Sequence, residues 1–165
     1  MKVSMKVDYG LRALVDLAQH YGQGPIQSKD IARRQGIPEP YLEHVLTHLR
    51  RAGFIASRRG PHGGHFLARL PGGIRLDEVI NILEGSTAPI SCVDKASKCS
   101  QFATCVTREV WQAVAEATRG VLGATTVQEL ASRQTITEAS HKVVRGRMAM
   151  TVLPDSGERY LSLAP

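Results

Sequence analysis

Apolar residues recur at helical spacing near the N-terminus, in stretches that glycine and proline separate. Asp8 stands before the first stretch as a candidate N-cap, and Gly22 follows it as a stop signal. That first stretch consists of Leu11, Leu14, Val15 and Ala18. The pattern therefore predicts a first helix between Asp8 and Gly22.

The next segment has the pattern of a short helix, a glycine turn and a longer helix. Ser28 is placed to cap a helix that continues to Arg34, and Gly36 turns the chain. Pro38 and Pro40 mark the start of the next helix. Its apolar stripe is Leu42, Val45, Leu46 and Leu49. Two helices joined in this way are typical of a helix-turn-helix.

The pattern then changes to that of a β-hairpin. Residues 54–57 and 65–68 have the composition of strands, and the glycine-rich residues 58–64 join them. Arginines at the tip of a hairpin can enter a minor groove or contact phosphates. Directly after a helix-turn-helix, such a hairpin is predicted to be a wing. The alternative is an ordinary hairpin whose arginines face water.

Two further helices are predicted after the wing. A short amphipathic helix starts after the Pro-Gly-Gly break at residues 71–73 and ends at Gly85. A longer helix follows the cysteines. The second helix carries a narrow apolar stripe formed by Val106, Val110, Val114, Ala117 and Val121. Such a stripe suits a partner helix, so we expect a homodimer whose two-fold symmetry is mirrored in a DNA operator. The alternative is packing against the chain's own core.

The predicted fold class is mainly α with a small β-hairpin wing (a winged helix-turn-helix) and a long dimerisation helix. A chain of 165 residues with one Trp and three Phe can bury one modest core. Residues 1–85 would form the DNA-binding domain and residues 86–106 a cysteine loop. The dimerisation helix region would span residues 107–134, and residues 135–165 would form a flexible tail.

Charge is distributed unevenly along the chain. Residues 1–75 carry 12 Lys/Arg against 5 Asp/Glu, whereas residues 76–165 carry 9 against 10. This excess suits a surface that meets the phosphates of double-stranded DNA. There is neither a signal peptide nor a long apolar run, so we expect a cytoplasmic protein without membrane contact.

The only three cysteines lie close together, at Cys92, Cys99 and Cys105. An odd number cannot pair completely within one chain, and disulfides are uncommon in the cytosol. Their wide spacing differs from the short cysteine knuckles of structural zinc sites, whereas an iron-sulfur cluster tolerates it. Metal, cluster or redox chemistry is therefore predicted for this loop.

The chain resembles the Rrf-type (IscR/NsrR-like) winged-helix regulators over residues 1 to 133. The motifs that carry the resemblance are residues 1–14, 31–32, 41–43, 49–54, 59–64 and 79–85. The resemblance implies a homodimer that binds a partly palindromic operator and holds an iron-sulfur cluster in the dimerisation region. It also implies DNA contacts by Tyr41, Glu43, Arg58, Arg59 and Gly60. We add Ser28, Lys29, His44, Arg50 and His62 to the predicted DNA-binding residues.

The resemblance also bears on the type of cluster. IscR-like relatives complete a two-iron cluster with a histidine three residues after the last cysteine, where this chain has Arg108. NsrR-like relatives use an N-terminal aspartate of the partner subunit as the fourth ligand of a four-iron cluster, and Asp8 matches it. A 4Fe-4S cluster on Cys92, Cys99, Cys105 and Asp8 is therefore favoured, and a 2Fe-2S cluster is the alternative. Both kinds of relative have one residue fewer between the first two cysteines, and the iron-responsive branch has a longer spacing.

The expected function is transcriptional repression in response to nitric oxide, redox state or iron supply. A cluster-free regulator that uses the cysteines as redox thiols, or binds zinc through them, is the second candidate. The third rests on residues 152–162, which resemble the C-terminal end of cysteine synthase and suggest that enzyme as a partner in sulfur metabolism. No catalytic motif is present, so an enzyme is not expected. His44 and His48 lie one helical turn apart, but on a DNA-facing helix phosphate or water contact is favoured over metal.

Overall fold

The computed structural model describes residues 3–86, 88–94, 101 and 104–151, and it confirms the mainly helical fold with one β-hairpin. A single turn of 3₁₀-helix occupies Pro71–Gly73. The helices and strands, in chain order, are α1 Met5–Gln19, α2 Ser28–Gln35, α3 Glu39–Arg51, β1 Ile55–Arg58, β2 Gly64–Leu67, α4 Leu76–Glu84, α5 Ser91–Asp94, α6 Val106–Ala124 and α7 Val127–Thr151.

The N-caps of the first two helices differ from those expected. Ser4 caps α1, since its hydroxyl oxygen accepts a hydrogen bond from the N–H of Val7 at 3.4 Å. The prediction that Asp8 is the N-cap is therefore wrong, and Asp8 lies within the first turn. Gln27 precedes α2, so Ser28 is the first helical residue rather than its cap. The chain enters α2 in an extended conformation because Ile26 is paired with the hairpin.

The core lies where α1, α3 and α4 pack on one another beneath the hairpin. The predicted stripe of α3 is buried, as are Ile31 and Ala32 of α2. Each fully buried large aliphatic side chain stabilises the fold by about 1.5–3 kcal/mol. The α1–α4 crossing is close, because a Cβ on Gly10 would lie 2.5 Å from Cδ1 of Leu83.

One buried ion pair connects α1 to α2. Asp16 is only 1% exposed, and both its carboxylate oxygens accept hydrogen bonds from Arg34, at 2.8 and 2.7 Å. Gln35 donates a third hydrogen bond at 3.3 Å. The hydrogen bond to the Asp16 carboxylate raises the pKa of Arg34 above its ordinary value, so the guanidinium stays charged. This contact joins the first helix to the helix-turn-helix.

The hairpin is held to the helices by backbone contacts. The strands β1 and β2 pair antiparallel, with Ser57 opposite His65. Each lies within one residue of its predicted position. Ile26 adds an isolated bridge to His65, through N–H···O bonds of 2.9 and 2.7 Å. A side chain at Gly64 (φ 154°) would place its Cβ 2.3 Å from the Ile26 carbonyl oxygen. Glycine is therefore required where the wing meets the chain that leads into α2.

Backbone hydrogen bonds join the turn between α6 and α7 to the segment that leads into α4. Leu76 donates its backbone N–H to Thr125 at 3.1 Å, and Val127 donates to Ile74 at 2.9 Å. The chain divides into two units, Met1–Ser132 and Arg133–Pro165. Helix α7 continues to Thr151, where the sequence predicts a flexible tail. Its sequence favours a helix, since it contains no proline and only one glycine, Gly146.

Candidate DNA-binding surface and cysteine loop

Helix α3 presents one buried and one polar face. The polar side chains that the sequence predicts for DNA contact lie opposite the buried stripe. Those that are exposed on α3 are Tyr41, Glu43, His44 and Arg50. His44 and His48 contact each other with ring centroids 4.6 Å apart, and Nδ1 of His48 lies 2.9 Å from the His44 carbonyl oxygen. That hydrogen bond occupies one ring nitrogen of His48.

The wing tip is exposed and anchored. The predicted residues Arg58, Arg59, Gly60 and His62 all face solvent. Nε2 of Gln27 donates to the Pro61 carbonyl oxygen at 3.2 Å. This hydrogen bond joins the tip to the residue that precedes Ser28 and Lys29. The predicted contacts of α2 and of the wing thus belong to one connected surface.

His65 lies at the base of the wing, within the electrostatic influence of α3, which is the second helix of the helix-turn-helix and its predicted recognition helix. Its Nδ1 lies 3.0 Å from the Ser57 hydroxyl, and its charge state is influenced by Glu43 and Arg50 of α3. Partial burial lowers the pKa of His65 below 6.5, and the Glu43 carboxylate opposes part of that shift. Burial therefore favours the neutral form of His65.

The basic side chains of this surface differ in how they are paired. Arg33 and Arg34 of α2 form ion pairs with Asp30 and Asp16. Arg58 and Arg59 make no ion pair with any described residue. A guanidinium without a protein carboxylate is available for phosphate or for a base edge.

The structure describes two of the three predicted cysteine ligands. Cys92 lies in α5, Cys105 is the N-cap of α6, and these two elements pack together. Both are half-buried free thiols. Cys99 lies outside the described residues. The Thr107 hydroxyl, 3.2 Å from Sγ, and the Arg108 backbone N–H lower the pKa of Cys105. A thiol that ionises readily suits a soft metal.

Asp8 has a half-exposed carboxylate in the first turn of α1. Its side chain is 49% exposed and pairs with Arg12 at 3.4 Å. Because Ser4 supplies the cap, the Asp8 carboxylate is not occupied by the backbone of its own helix. Among the described residues, no three His, Cys, Asp or Glu side chains are grouped closely enough to hold a metal. The donor types present suit an iron-sulfur cluster, but this chain's described residues do not form a complete site.

Helix α6 exposes the whole predicted stripe. Val106 is 78% and Val121 68% exposed, and Ala115 is the only buried residue described in this helix. Trp111, which the sequence analysis did not assign, is also exposed and adds to the apolar surface. A cavity of about 520 Å³ opens beside Ala117 and Val121, and its other walls come from α1 and α4 and from Val3, Ser86, Ala88 and Pro89.

A helix-turn-helix followed by an anchored wing, with its basic side chains on one surface, defines a winged-helix DNA-binding protein. Residues 3–133 match the Rrf2 family, described as iron-dependent transcriptional regulators, and the chain belongs to that family. The chain is a transcriptional regulator rather than an enzyme, as its curated relatives are.

The chain is similar to transcriptional regulators of several kinds, both in sequence and in structure. Protein rrf2 of Nitratidesulfovibrio vulgaris is 39% identical, over 79% of this chain and 87% of the relative. The regulator CymR of Bacillus subtilis is 36% identical, over 80% and 91%. Among solved structures, T. potens IscR has a TM-score of 0.68 at 40% identity, covering 81% of this chain and 88% of that one. The structure of B. subtilis CymR, the global cysteine regulator, has a TM-score of 0.70 at 34% identity, covering 81% and 98%.

No helix within the described residues has the length and apolar character needed to span a membrane.

Proposed function

We propose that this protein is a homodimeric repressor that binds an operator and responds to nitric oxide, redox state or iron supply through an iron-sulfur cluster. The observation that carries the DNA-binding part is the connected surface of α2, α3 and the wing. Arg58 and Arg59 lie on it without a carboxylate partner among the described residues. The proposed location is the cytoplasm.

The DNA contacts are assigned by position on that surface. The polar side chains of α3 read base edges in the major groove, and the wing arginines bind in the minor groove or to phosphates. Ser28 and Lys29, at the start of α2, meet the backbone. The proposed contact residues are Ser28, Lys29, Tyr41, Glu43, His44, Arg50, Arg58, Arg59, Gly60 and His62.

Dimerisation through α6 is supported by its exposed valines. Soluble proteins rarely leave such a continuous apolar surface in water. Packing against the chain's own core was the alternative, and the exposure of Val106, Val110, Val114 and Val121 argues against it. In a two-fold dimer the same stripe meets its copy.

The cluster is assigned to Cys92, Cys99 and Cys105, with Asp8 of the partner subunit as the fourth ligand. Two half-buried free thiols on packed elements support this, and so does an Asp8 carboxylate that does not cap its helix. A 4Fe-4S cluster is favoured over a 2Fe-2S cluster, because Arg108 cannot ligate iron as histidine does. Such a cluster would supply a centre that nitric oxide, oxygen or iron shortage can damage. An oxygen ligand would make that centre more labile.

A cluster-free thiol regulator of cysteine metabolism, acting with cysteine synthase, is the second candidate. The similarity to the CymR structures favours it, since B. subtilis CymR is the global cysteine regulator of that organism. The C-terminal resemblance to cysteine synthase lies outside the described residues. Deleting residues 150–165 and testing capture of purified cysteine synthase separates this partnership from the DNA-binding function. Unchanged capture after the deletion would exclude the tail as its basis.

The deciding experiment is the iron and acid-labile sulfide content of protein purified without oxygen, together with its visible spectrum. About four of each per monomer supports the four-iron cluster, and about two of each supports the two-iron alternative. Cys92→Ala and Cys105→Ala should lose the colour, whereas Ser91→Ala, beside Cys92, should keep it. Colourless wild-type protein with free thiols would contradict the cluster and leave the DNA-binding function standing.

A further inference from the structure

Tyr41, one of the proposed DNA contacts, is held from behind by helix α1. It lies in the first turn of α3, and its ring meets the ring of Tyr9 edge to face. The centroids are 5.4 Å apart and the ring planes are inclined at 86°. This arrangement brings the positive edge of one ring to the negative face of the other, and it limits how far Tyr41 can turn.

Tyr9 is in turn connected to Asp8 through Arg12. The guanidinium carbon of Arg12 lies 5.8 Å from the Tyr9 centroid, within the range of a cation–π contact. The same guanidinium pairs with Asp8 at 3.4 Å, one helical turn away. Asp8 therefore holds Arg12, Arg12 covers Tyr9, and Tyr9 contacts Tyr41.

We propose that Arg12 and Tyr9 are positioning residues that connect the carboxylate of Asp8 to Tyr41 on the recognition helix. This inference rests on the proposed function, which places Tyr41 against DNA and Asp8 at the sensing site. Without the Asp8 carboxylate, Arg12 loses the anchor that keeps its flexible side chain over the ring. Tyr9 then packs less tightly, and Tyr41 loses its fixed orientation toward the base edges.

The contacts also explain how a change at Asp8 can reach DNA without a movement of the domain. The path crosses from α1 to α3 through two aromatic rings and one guanidinium, all described in a single subunit. If the Asp8 carboxylate binds another group, such as the proposed cluster, its ion pair with Arg12 is weakened or lost. Operator recognition would then change even though Asp8 itself makes no proposed DNA contact.

The test uses full-length, iron-free protein and two duplexes. One is selected by the wild-type protein from a random library, and the other is a scrambled duplex of the same composition. The readout is the ratio of the two affinities by fluorescence anisotropy, because a change of net charge alters both affinities alike. Thermal unfolding of each variant verifies that it is folded at the assay temperature.

We expect Tyr9→Leu to lower the affinity ratio about fivefold, in line with the strength of an aromatic pair. Asp8→Asn should lower it about twofold, as expected for a half-exposed ion pair one helical turn apart. Tyr9→Phe keeps the ring and should keep the ratio. The Asp8→Asn, Tyr9→Leu double variant should be no worse than Tyr9→Leu alone, since both changes act on one path.

Three results would overturn the inference. They are an unchanged ratio in Tyr9→Leu, an equal loss in Tyr9→Phe, and effects of Asp8→Asn and Tyr9→Leu that multiply in the double variant. A wild-type protein that selects no duplex would instead refute the DNA-binding function and this inference with it. Iron content is measured separately, so a missing cluster does not change how these outcomes are interpreted.

Discussion

The winged-helix domain buries its apolar side chains, whereas helix α6 exposes most of its own. In the domain, the α3 stripe is fully buried and a buried ion pair joins two helices. Helix α6 is longer than α3, yet it exposes its valines and buries only Ala115 among its described residues. The first arrangement stabilises one chain, whereas the second is stable only if something covers the stripe. The contrast distinguishes the apolar residues that stabilise the fold of one chain from those that are available for contact between two chains.

The largest expected effect is in the domain core. Leu46→Ala should lower the free energy of unfolding by about 3 kcal/mol, because it leaves a cavity in the core beside α3. Chemical denaturation with circular dichroism measures this loss. Ile82→Ala, on the exposed face of α4, is the control and should change stability by less than about 0.5 kcal/mol. Equal losses in the two variants would contradict the described core.

The Asp16 ion pair comes next. Asp16→Ala leaves Arg34 without its buried partner and should cost about 2 kcal/mol of stability. Asp30→Ala removes the more exposed pair with Arg33 and should cost less than about 1 kcal/mol. Both can be measured by urea unfolding. If Asp30→Ala proved the more damaging, Asp16 would not be the contact that joins α1 to α2.

A charge in the α6 stripe should leave the domain folded and weaken the dimer. Val114→Glu places a carboxylate in the proposed apolar interface, so we expect the dimer dissociation constant to rise at least about tenfold. Sedimentation equilibrium measures this change. Gln112→Glu, away from the stripe, adds the same charge and should not alter it. A Val114→Glu protein as dimeric as wild type would show that this stripe is not the interface.

The smallest expected effect is a pH dependence from the base of the wing. Burial lowers the pKa of His65, so the unfolded chain binds the proton more readily than the folded one. The stabilisation is present above the unfolded pKa of 6.5 and is lost as the pH falls below it. Urea unfolding between pH 7.5 and about 5 should show the decline. In His65→Asn the decline should be smaller, and an unchanged slope would exclude His65 as its source.

Much of the helical framework could be predicted from local pattern alone. Helix α3 follows its apolar stripe, and Gly85 ends α4 as expected. These signals are local, since burial of one helix face repeats with the helical period. The wing could also be predicted from local pattern, because its glycines mark the turn between the two strands. The part of α7 beyond residue 135 was not predicted as a helix, since its apolar residues do not recur at the helical period.

The candidate site could be predicted only in part. The exposed polar face of α3 and the wing arginines were visible in the sequence. Trp111 and the roles of Tyr9 and Arg12 were not. No local rule marks a tyrosine that contacts another tyrosine more than thirty positions away, at Tyr41. Cys99 remains a prediction, because it lies outside the described residues.

The order of elements from α1 to α4, the polar face of α3 and the basic N-terminal part follow directly from the amino-acid sequence. Hydrophobic period, turn residues and charge act over a few neighbouring positions, so they can be interpreted without coordinates. The roles of Ser4, Asp16 and Tyr9 depend on the folded chain. Asp16 can be buried only because Arg34, distant in sequence, reaches it in the fold. The Asp8 carboxylate can pair with Arg12 rather than cap α1, because Ser4 caps the helix in its place. Contacts between distant residues leave no local pattern, and the packing of α1 on its neighbours creates them.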